Sequence, residues 1–277
     1  MTGKEIPAIL ARADAEAVLP RLGGMARPDG VVIVSERFWA LATSTGQLRE
    51  GEMPSAPRRL RRVPLLRGLA KLGSSVSPLF RSTGISHSHE RWVLGLALSL
   101  TFIFPLVPSR AASVGEVVLT AGLIGWMMRG RTLFLHGAEH RAIAAAEQRQ
   151  LSDTWSGNVK PTRFAQRCGT NFAALVLPAA VLLNHFAPPS TASYAPLVVS
   201  LLALALTMEL WQFIQGGPRW MRALLLPGLA VQRVTTREPR LDETQVALTA
   251  LASVVRRELA LGSAAELVAT MPLPSAA

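Results

Sequence analysis

The sequence predicts a mainly α-helical, polytopic membrane protein with about four transmembrane helices and a small β-containing portion at the N-terminus, in the cytoplasm. Hydrophobic residues make up 49% of the chain and charged residues 17%, well below the roughly 25% usual for soluble globular proteins. The apolar residues are gathered into blocks, as bilayer-spanning helices require. The segments between the blocks alternate in basic charge, which is typical of loops on opposite sides of a membrane.

Composition shifts and turn residues divide the chain into five regions. The stretch 30–48 alternates in hydrophobicity around a Ser-Thr-Gly turn, which indicates a hairpin. Near the C-terminus, Val246, Ala250 and Val254 form an apolar stripe, which predicts a soluble surface helix. In chain order the regions are an N-terminal segment (1–22), a small β-hairpin region (23–53), a basic interfacial helix and linker (54–91), a four-helix membrane domain (92–215) with a cytoplasmic central loop (129–171), and a cytoplasmic C-terminal region with an amphipathic helix (216–277).

The loops between the apolar blocks orient the chain. The segment after the first block carries one arginine and the segment after the third carries no charge, whereas the central segment and both terminal regions are rich in arginine. This pattern places both termini and the central loop in the cytoplasm. The alternative is a buried four-helix core in a soluble protein. The blocks are 92–107, 116–128, 172–187 and 195–214.

The net charge of +11 favours membrane lipid as a partner, since cytoplasmic lipid surfaces are anionic. A nucleic-acid partner is not expected, because no basic patch is interleaved with stacking aromatic residues. The chain contains no P-loop and no nucleophile elbow, so nucleotide-binding and serine-hydrolase classes have no support. Self-association into a homo-oligomer stays open.

The stretch HGAEH at 136–140 is the strongest chemical motif. His136 and His140 are one helical turn apart, so both imidazoles point to one side of a helix and can meet one metal ion. Glu139 lies between them and is placed to act as a general base. The order H-x-x-E-H is that of the inverted zincin motif. A histidine and glutamate pair that serves only solubility is the alternative interpretation.

The predicted topology brings further groups to the same cytoplasmic level. Cys168 lies at the start of the third block and Glu209 near the end of the fourth, while Glu147 follows His140 by two helical turns. A carboxylate inside an apolar span is costly and is therefore a functional candidate. The alternatives are a buried, inert thiol for Cys168 and an ion pair with an arginine such as Arg222 for Glu209. A thiolate among the ligands favours zinc.

Two further sets of polar residues lie near this face. Arg233 and Arg237 are spaced to clamp a phosphate or a lipid head group, although ordinary cytoplasmic positive charge explains them equally well. His87 and His89, before the first block, either add ligands or belong to a polar helix start.

The motifs PLLRGL (64–69), HGAEHRAI (136–143), RCGTNF (167–172) and PGLAVQRVTTREP (227–239) resemble, in order and spacing, those of the YqhQ-like bacterial membrane proteins. That family is a domain of unknown function labelled a predicted metal-dependent enzyme. The resemblance extends over roughly residues 23–255 and is looser near the start, where Asp29 replaces an expected glutamate. It implicates, position by position, His136, Glu139, His140, Glu147, Cys168, Glu209, Arg233, Thr235, Thr236, Arg237 and Glu238.

Together these observations predict a metal-dependent, hydrolase-like enzyme whose site faces the cytoplasm at the membrane surface. His136 and His140 would be ligands, with Cys168, Glu209 or Glu147 completing the set, and Glu139 would be the base. The expected substrate is a lipid, a lipid-linked molecule or a membrane-proximal peptide. The alternative is a non-catalytic scaffold or assembly factor, in which these polar residues tie helices together by hydrogen bonds.

Overall fold

The computed structural model describes residues 4–55, 59–81, 84–103, 109–186 and 194–270. Within them the protein is mainly helical with a small antiparallel sheet near the N-terminus, as the sequence predicts. The elements are α1 (Glu5–Ala15), β1 (Gly23–Ala26), β2 (Gly30–Val34), β3 (Phe38–Thr43), β4 (Leu48–Glu52), α2 (Leu66–Phe80), α3 (Ser88–Ile103), α4 (Ser109–Met127), α5 (Thr132–Gln148), α6 (Leu151–Trp155), α7 (Gly169–Phe186), α8 (Ala195–Gly216), α9 (Leu226–Thr235) and α10 (Leu241–Thr270), with short 3₁₀ helices at Leu60–Arg62 and Arg219–Leu225.

The sheet is a four-stranded meander in the order β1-β2-β3-β4. It is larger than the hairpin predicted at 30–48, a stretch that contains β2, β3 and the turn before β4. Gly46, in the turn between β3 and β4, has a φ of +82°, a conformation that glycine adopts without steric cost. All six residues of β3 are buried, so this strand is covered on both faces.

One face of the sheet packs against α5 and α10, and α1 and α6 close the edge of this core. Helix α10 was expected on the surface, and that expectation is wrong. Ala250, Leu251 and Val254 are completely inaccessible to solvent, because α10 lies across β2 and β3 and beside α5. Alanine-rich helices permit such close approach to a sheet, since short side chains leave little volume between the layers.

The other face of the sheet carries Trp39 and Leu41, which pack with Ile85 from the segment before α3. The start of α3 is joined to the sheet by a buried ion pair, in which Arg27 Nη1 donates to Glu90 Oε2 at 2.8 Å. Arg27 also donates to the carbonyl of Ile85 at 3.2 Å. Removing one partner of such a pair leaves an uncompensated buried charge, which typically costs about 3–5 kcal/mol.

Two helices in the described part of the chain are long and apolar enough to cross a membrane, namely α7 and the Leu197–Gly216 part of α8. They pack against each other, and α9 and α2 pack against α7 and α8 respectively. In the sequence, α3 and α4 coincide with the first two predicted blocks. Residues 104–108, which include the end of the first block, are outside the described residues. Large apolar side chains on these helices face outward, including Trp92, Val117 and Val181, each more than 65% exposed.

The segment 129–171 is not the loop that the sequence predicts. Helix α4 ends at Met127, Gly130 turns the chain with a φ of +62°, and α5 begins at Thr132. The chain therefore leaves the apolar helices before His136 and enters the core with the sheet. Its longest part without helix or strand is the stretch between α6 and α7.

Candidate metal centre

His136, His140 and Cys168 form one group of metal-binding atoms. The Nε2 atom of His136 lies 3.3 Å from Cys168 Sγ, and all the ligand atoms of the three residues lie within 4.8 Å of one another. In tetrahedral zinc sites, bond lengths of about 2.0–2.3 Å separate neighbouring ligand atoms by roughly 3.3–3.6 Å. The separation between His136 and Cys168 already matches this spacing, and no other separation in the group exceeds it by more than about 1.5 Å.

Backbone carbonyls orient both imidazole rings. His136 Nδ1 lies 2.9 Å from the oxygen of Thr235, and His140 Nδ1 lies 2.7 Å from the oxygen of Arg163. A carbonyl oxygen only accepts hydrogen bonds, so each Nδ1 carries the hydrogen. This tautomer leaves Nε2 free to bind a metal, and Nε2 of His136 is the atom next to Cys168 Sγ. Metal-binding histidines are commonly held in this way.

His140 Nε2 is one of the few buried side-chain polar atoms in the described residues that have no hydrogen-bond partner. The side chain is only 1% exposed, and leaving such a group unsatisfied costs roughly 1–3 kcal/mol. A metal ion between the three residues would satisfy this atom. The unpartnered nitrogen is therefore the feature that best fits a metal site.

The C-terminal motif reaches the site because Gly137 has no side chain. A Cβ atom at Gly137 would overlap the carbonyl oxygen of Arg237 and would lie 3.2 Å from Pro239 Cδ. Arg237 N donates to Leu133 O at 2.9 Å, so the segment runs directly along α5. This close approach is what brings the oxygen of Thr235 to His136.

A buried amide cluster holds the chain around Cys168. Gln232 Nε2 donates to Ala165 O at 2.7 Å and to Asn171 Oδ1 at 3.1 Å, while its Oε1 accepts from Ala165 N at 2.9 Å. Both amide side chains are fully buried. A Cβ atom at Gly228 would overlap Asn171, so the glycine lets α9 pack on the start of α7. The thiol accepts a hydrogen bond from Thr170 Oγ1 at 3.2 Å.

Arg141 joins the two segments that orient the imidazoles. Its Nε donates to Pro161 O at 3.1 Å and its Nη1 to Pro239 O at 3.2 Å, and its Nη2 contacts Glu238. The side chain is 5% exposed, and the pair with Glu238 supplies a countercharge. The arginine thus fixes the carbonyls of both chain segments relative to α5.

Glu139 lies beside the group but on the side of the sheet. Its side chain is 4% exposed, and a Cβ atom at Gly24 of β1 would lie 2.8 Å from its Cγ. Burial raises the pKa of Glu139 to about 7, against the opposing influence of His136 and of a backbone hydrogen bond from Ala26. Glu139 is therefore within electrostatic reach of His136 but is not one of the three grouped ligands.

The structure does not bring Glu209 or Glu147 into the ligand group. The carboxylate of Glu209 accepts from Arg67 Nε at 2.8 Å and from Leu65 N at 3.2 Å. An ion pair with an arginine was the alternative, but the partner is Arg67 and not Arg222. Glu147 is 56% exposed and forms an ion pair with Arg167 at 3.2 Å.

Arg233 and Arg237 both have exposed side chains. The contact of Arg237 with α5 is made by its backbone.

His87 and His89 stack with ring centroids 5.8 Å apart, outside the metal-binding group. His87 Nε2 lies 3.5 Å from Asp29 Oδ2. Burial by itself would raise the pKa of Asp29, but the hydrogen bond and the charge of Arg27 lower it overall. Asp29 thus forms an ion pair with Arg27.

The sequence interpretation missed the residues that position the ligands: Gln232, Asn171, Arg141 and Gly137. A signal for two of them was present. Gln232 interrupts the apolar pattern PGLAVQ, and Asn171 follows Cys168 at the start of an apolar block. Buried amide side chains require hydrogen-bond partners, so the sequence could have predicted that these two amides bond to each other. The carbonyl partners of the histidines carry no sequence signal, because every residue has a carbonyl.

Comparisons with known proteins agree with this assignment of motifs. The family model described as "Protein of unknown function (DUF1385)" matches residues 117–257, which include all three grouped ligands and the C-terminal motif. The "Uncharacterized protein YqhQ" of Bacillus subtilis (strain 168) is 24% identical over 207 residues, which are 64% of this chain and 64% of that protein. A comparison with solved structures found no match. Because the family model covers more than half of the chain, the protein belongs to this YqhQ-like family of unknown function.

Proposed function

We propose that the protein is a metal-dependent enzyme, hydrolase-like in its chemistry, whose site faces the cytoplasm at the surface of the bacterial inner membrane. The observation that carries the proposal is the unpartnered, buried Nε2 of His140. This nitrogen lies with the Nε2 of His136 and the thiol of Cys168 in one group.

The donor set favours zinc. Two imidazole nitrogens and one thiolate suit zinc better than magnesium or calcium, which prefer oxygen. Three protein ligands leave a fourth position for a substrate or solvent molecule, as in catalytic zinc sites. A zinc ion held there would supply Lewis-acid chemistry. Among the described residues no fourth histidine, cysteine or carboxylate joins the group, which distinguishes it from a closed structural site.

The chain's own residues supply the remaining functions. Thr235 and Arg163 hold the imidazoles through their carbonyls. Glu139 would accept and return a proton, because it adjoins His140 in sequence and its charge is coupled to that of His136. Gly24 lets the backbone of β1 pass close to this carboxylate, which keeps bulk water away from it.

The membrane setting rests on the apolar helices. We propose that α3, α4, α7 and α8 all cross the bilayer, with both termini on the cytoplasmic side. Two of them have the length and composition of a span, and outward-facing apolar residues on α3 and α4, such as Leu96 and Val118, support the other two. Such surfaces are unfavourable in water when they are contiguous.

One observation favours a second function, that of a non-catalytic scaffold. Both histidines already bind backbone carbonyls, so they tie α5 to two other chain segments without any metal. In that case the group would be a structural junction, and His136 and Cys168 would contact each other directly as they do at 3.3 Å.

Metal analysis separates the two functions. The full chain, purified in mild detergent without chelators, should contain about one zinc per chain, by analogy with mononuclear sites of this ligand type. His140→Ala and Cys168→Ala should each lose it. His185→Ala is the matched control, because His185 is exposed at the far end of α7, and this variant should keep the metal. Absence of bound metal in the wild-type protein, or zinc retained in both ligand variants, would contradict the metal-dependent function.

A further inference from the structure

A cavity of about 540 Å³ adjoins the metal-binding group. His140 is the one member of the group that lines it. The walls come from the segment after α1, from the outer face of α5, from the chain between α6 and α7, and from the end of α8 with the 3₁₀ helix that follows. This volume lies within the range of small-molecule sites, roughly 300–1,000 Å³.

The lining of the cavity is strongly basic. It contains four arginines and one acidic residue, Glu147. Glu147 pairs with Arg167 at 3.2 Å, and Arg149 is engaged by the carbonyls of Ala13 and Ala17. The other two arginines are Arg21 and Arg222, which are exposed and form no ion pair with the residues that the structure describes. Two guanidinium groups are thus available to an anionic ligand.

The cavity also lies where a membrane span ends. Ile214 and Gln215 line it from the last turn of α8, and Leu225 lines it from the 3₁₀ helix. Phosphate groups of lipids lie at the level where a spanning helix meets the cytoplasm. Arginine binds phosphate with a planar pair of donors. Both the position and the charge of the cavity therefore suit a phosphate group.

We propose that this cavity binds a phosphate-bearing head group, with Arg21 and Arg222 as its anion-binding residues. The role of this cavity as the substrate pocket of the enzyme rests on the metal-dependent function proposed above. Phosphate binding itself does not need the metal. The phosphate belongs to a membrane lipid or to a soluble phosphate ester, and both present the same chemistry to the two arginines. Arg233 and Arg237, the pair expected from the sequence, do not line the cavity.

Calorimetric titration of the full chain in neutral detergent tests the site with two probes, dihexanoyl phosphatidic acid and glycerol 3-phosphate. Arg21→Gln and Arg222→Gln should each weaken binding about tenfold, since each removes a charge-assisted pair. Arg222→Lys should keep part of the affinity because it keeps the charge. Arg37→Gln is the matched control: Arg37 is 63% exposed, lies outside the cavity lining, and should bind like the wild type.

The two probes distinguish the source of the phosphate. Binding of the lipid alone supports a lipid head group, and equal binding of both supports a soluble phosphate ester. Failure of both probes to bind, or binding that neither arginine substitution weakens, would overturn the proposal. Zinc content is measured on the same preparations. Bound zinc without phosphate binding removes only this inference, and phosphate binding without zinc removes only the metal-dependent function.

Discussion

Each ligand side chain of the candidate site is held in place by contacts with neighbouring residues. A histidine with both nitrogens in solvent can rotate and change tautomer, but His136 and His140 are each fixed by a carbonyl at Nδ1. Cys168 is fixed by Thr170 and by its place directly before α7. The three donor atoms therefore converge before any ion arrives, which reduces the entropy lost on binding.

Glu139 predicts a pH dependence of stability in the metal-free protein. Burial raises its pKa from 4.5 to about 7, so the folded chain keeps a proton that the unfolded chain releases between these values. The stabilisation is therefore complete below the unfolded pKa and is lost as pH rises through about 7. A shift of this size corresponds to roughly 3 kcal/mol. Denaturant unfolding followed by tryptophan fluorescence, with a chelator present, should show this loss between about pH 4.5 and pH 7.

The matched variants are Glu139→Gln and Glu147→Gln, which change two glutamates of the same helix. The first should flatten the decline in unfolding free energy, because a neutral amide binds no proton. The second should leave the decline unchanged, because Glu147 is 56% exposed. An identical decline in wild type and Glu139→Gln would contradict the role assigned to this carboxyl.

At the scale of the element, α5 organises the site through its small residues. Gly137 admits the segment that carries Thr235 O, and the alanines that follow pack against α10 and the sheet. One face of α5 thus packs against the core, while the face with His140 borders the cavity. A larger residue at Gly137 would separate the helix from the C-terminal motif.

Gly137→Ala should therefore lower both stability and metal content. The added Cβ would overlap Arg237 O, and overpacking of this kind costs about 1–3 kcal/mol. Displacement of the segment would also remove Thr235 O from His136 Nδ1. Gly73→Ala in α2 is the control, since its Cβ would meet no atom of the described chain within 4 Å, and alanine favours a helix. Thermal unfolding and zinc analysis of both variants measure the effect. Equal stability and equal zinc in the two variants would be the contrary outcome.

The sequence predicted the elements better than their packing. The helical spacing of His136 and His140 and the position of Cys168 before an apolar block were enough to bring these residues together. The destination of Glu209 was not predictable, because its partner Arg67 is 142 residues away in the chain. The burial of α10 was missed for a related reason. A stripe of small apolar residues indicates one buried face, but only the sheet and α5 together cover the rest of the helix.

At the scale of the whole molecule, the structure joins two kinds of packing. Helices α5 and α10 cover a sheet in a core typical of water-soluble domains, and α7 and α8 have the composition of membrane spans. The grouped ligands lie at the junction, because α5 supplies the histidines and the residue directly before α7 supplies the thiol. The cavity opens at the same junction. If α7 and α8 cross the bilayer as proposed, a site in this place can act on the polar end of a molecule whose apolar part stays in the bilayer.

This arrangement predicts which side of the membrane each loop occupies. In a Cys168→Ala background, single cysteines are introduced as Ser109→Cys, Tyr194→Cys, Gln47→Cys and Lys160→Cys and labelled with a membrane-impermeant maleimide. If α3, α4, α7 and α8 all span the bilayer, the first two are labelled in intact spheroplasts and the last two only in inverted vesicles. Gln47 lies in the turn between β3 and β4 and Lys160 lies between α6 and α7, so both serve as internal controls. If only α7 and α8 span, Ser109→Cys is labelled in inverted vesicles alone, and the four-span topology is wrong.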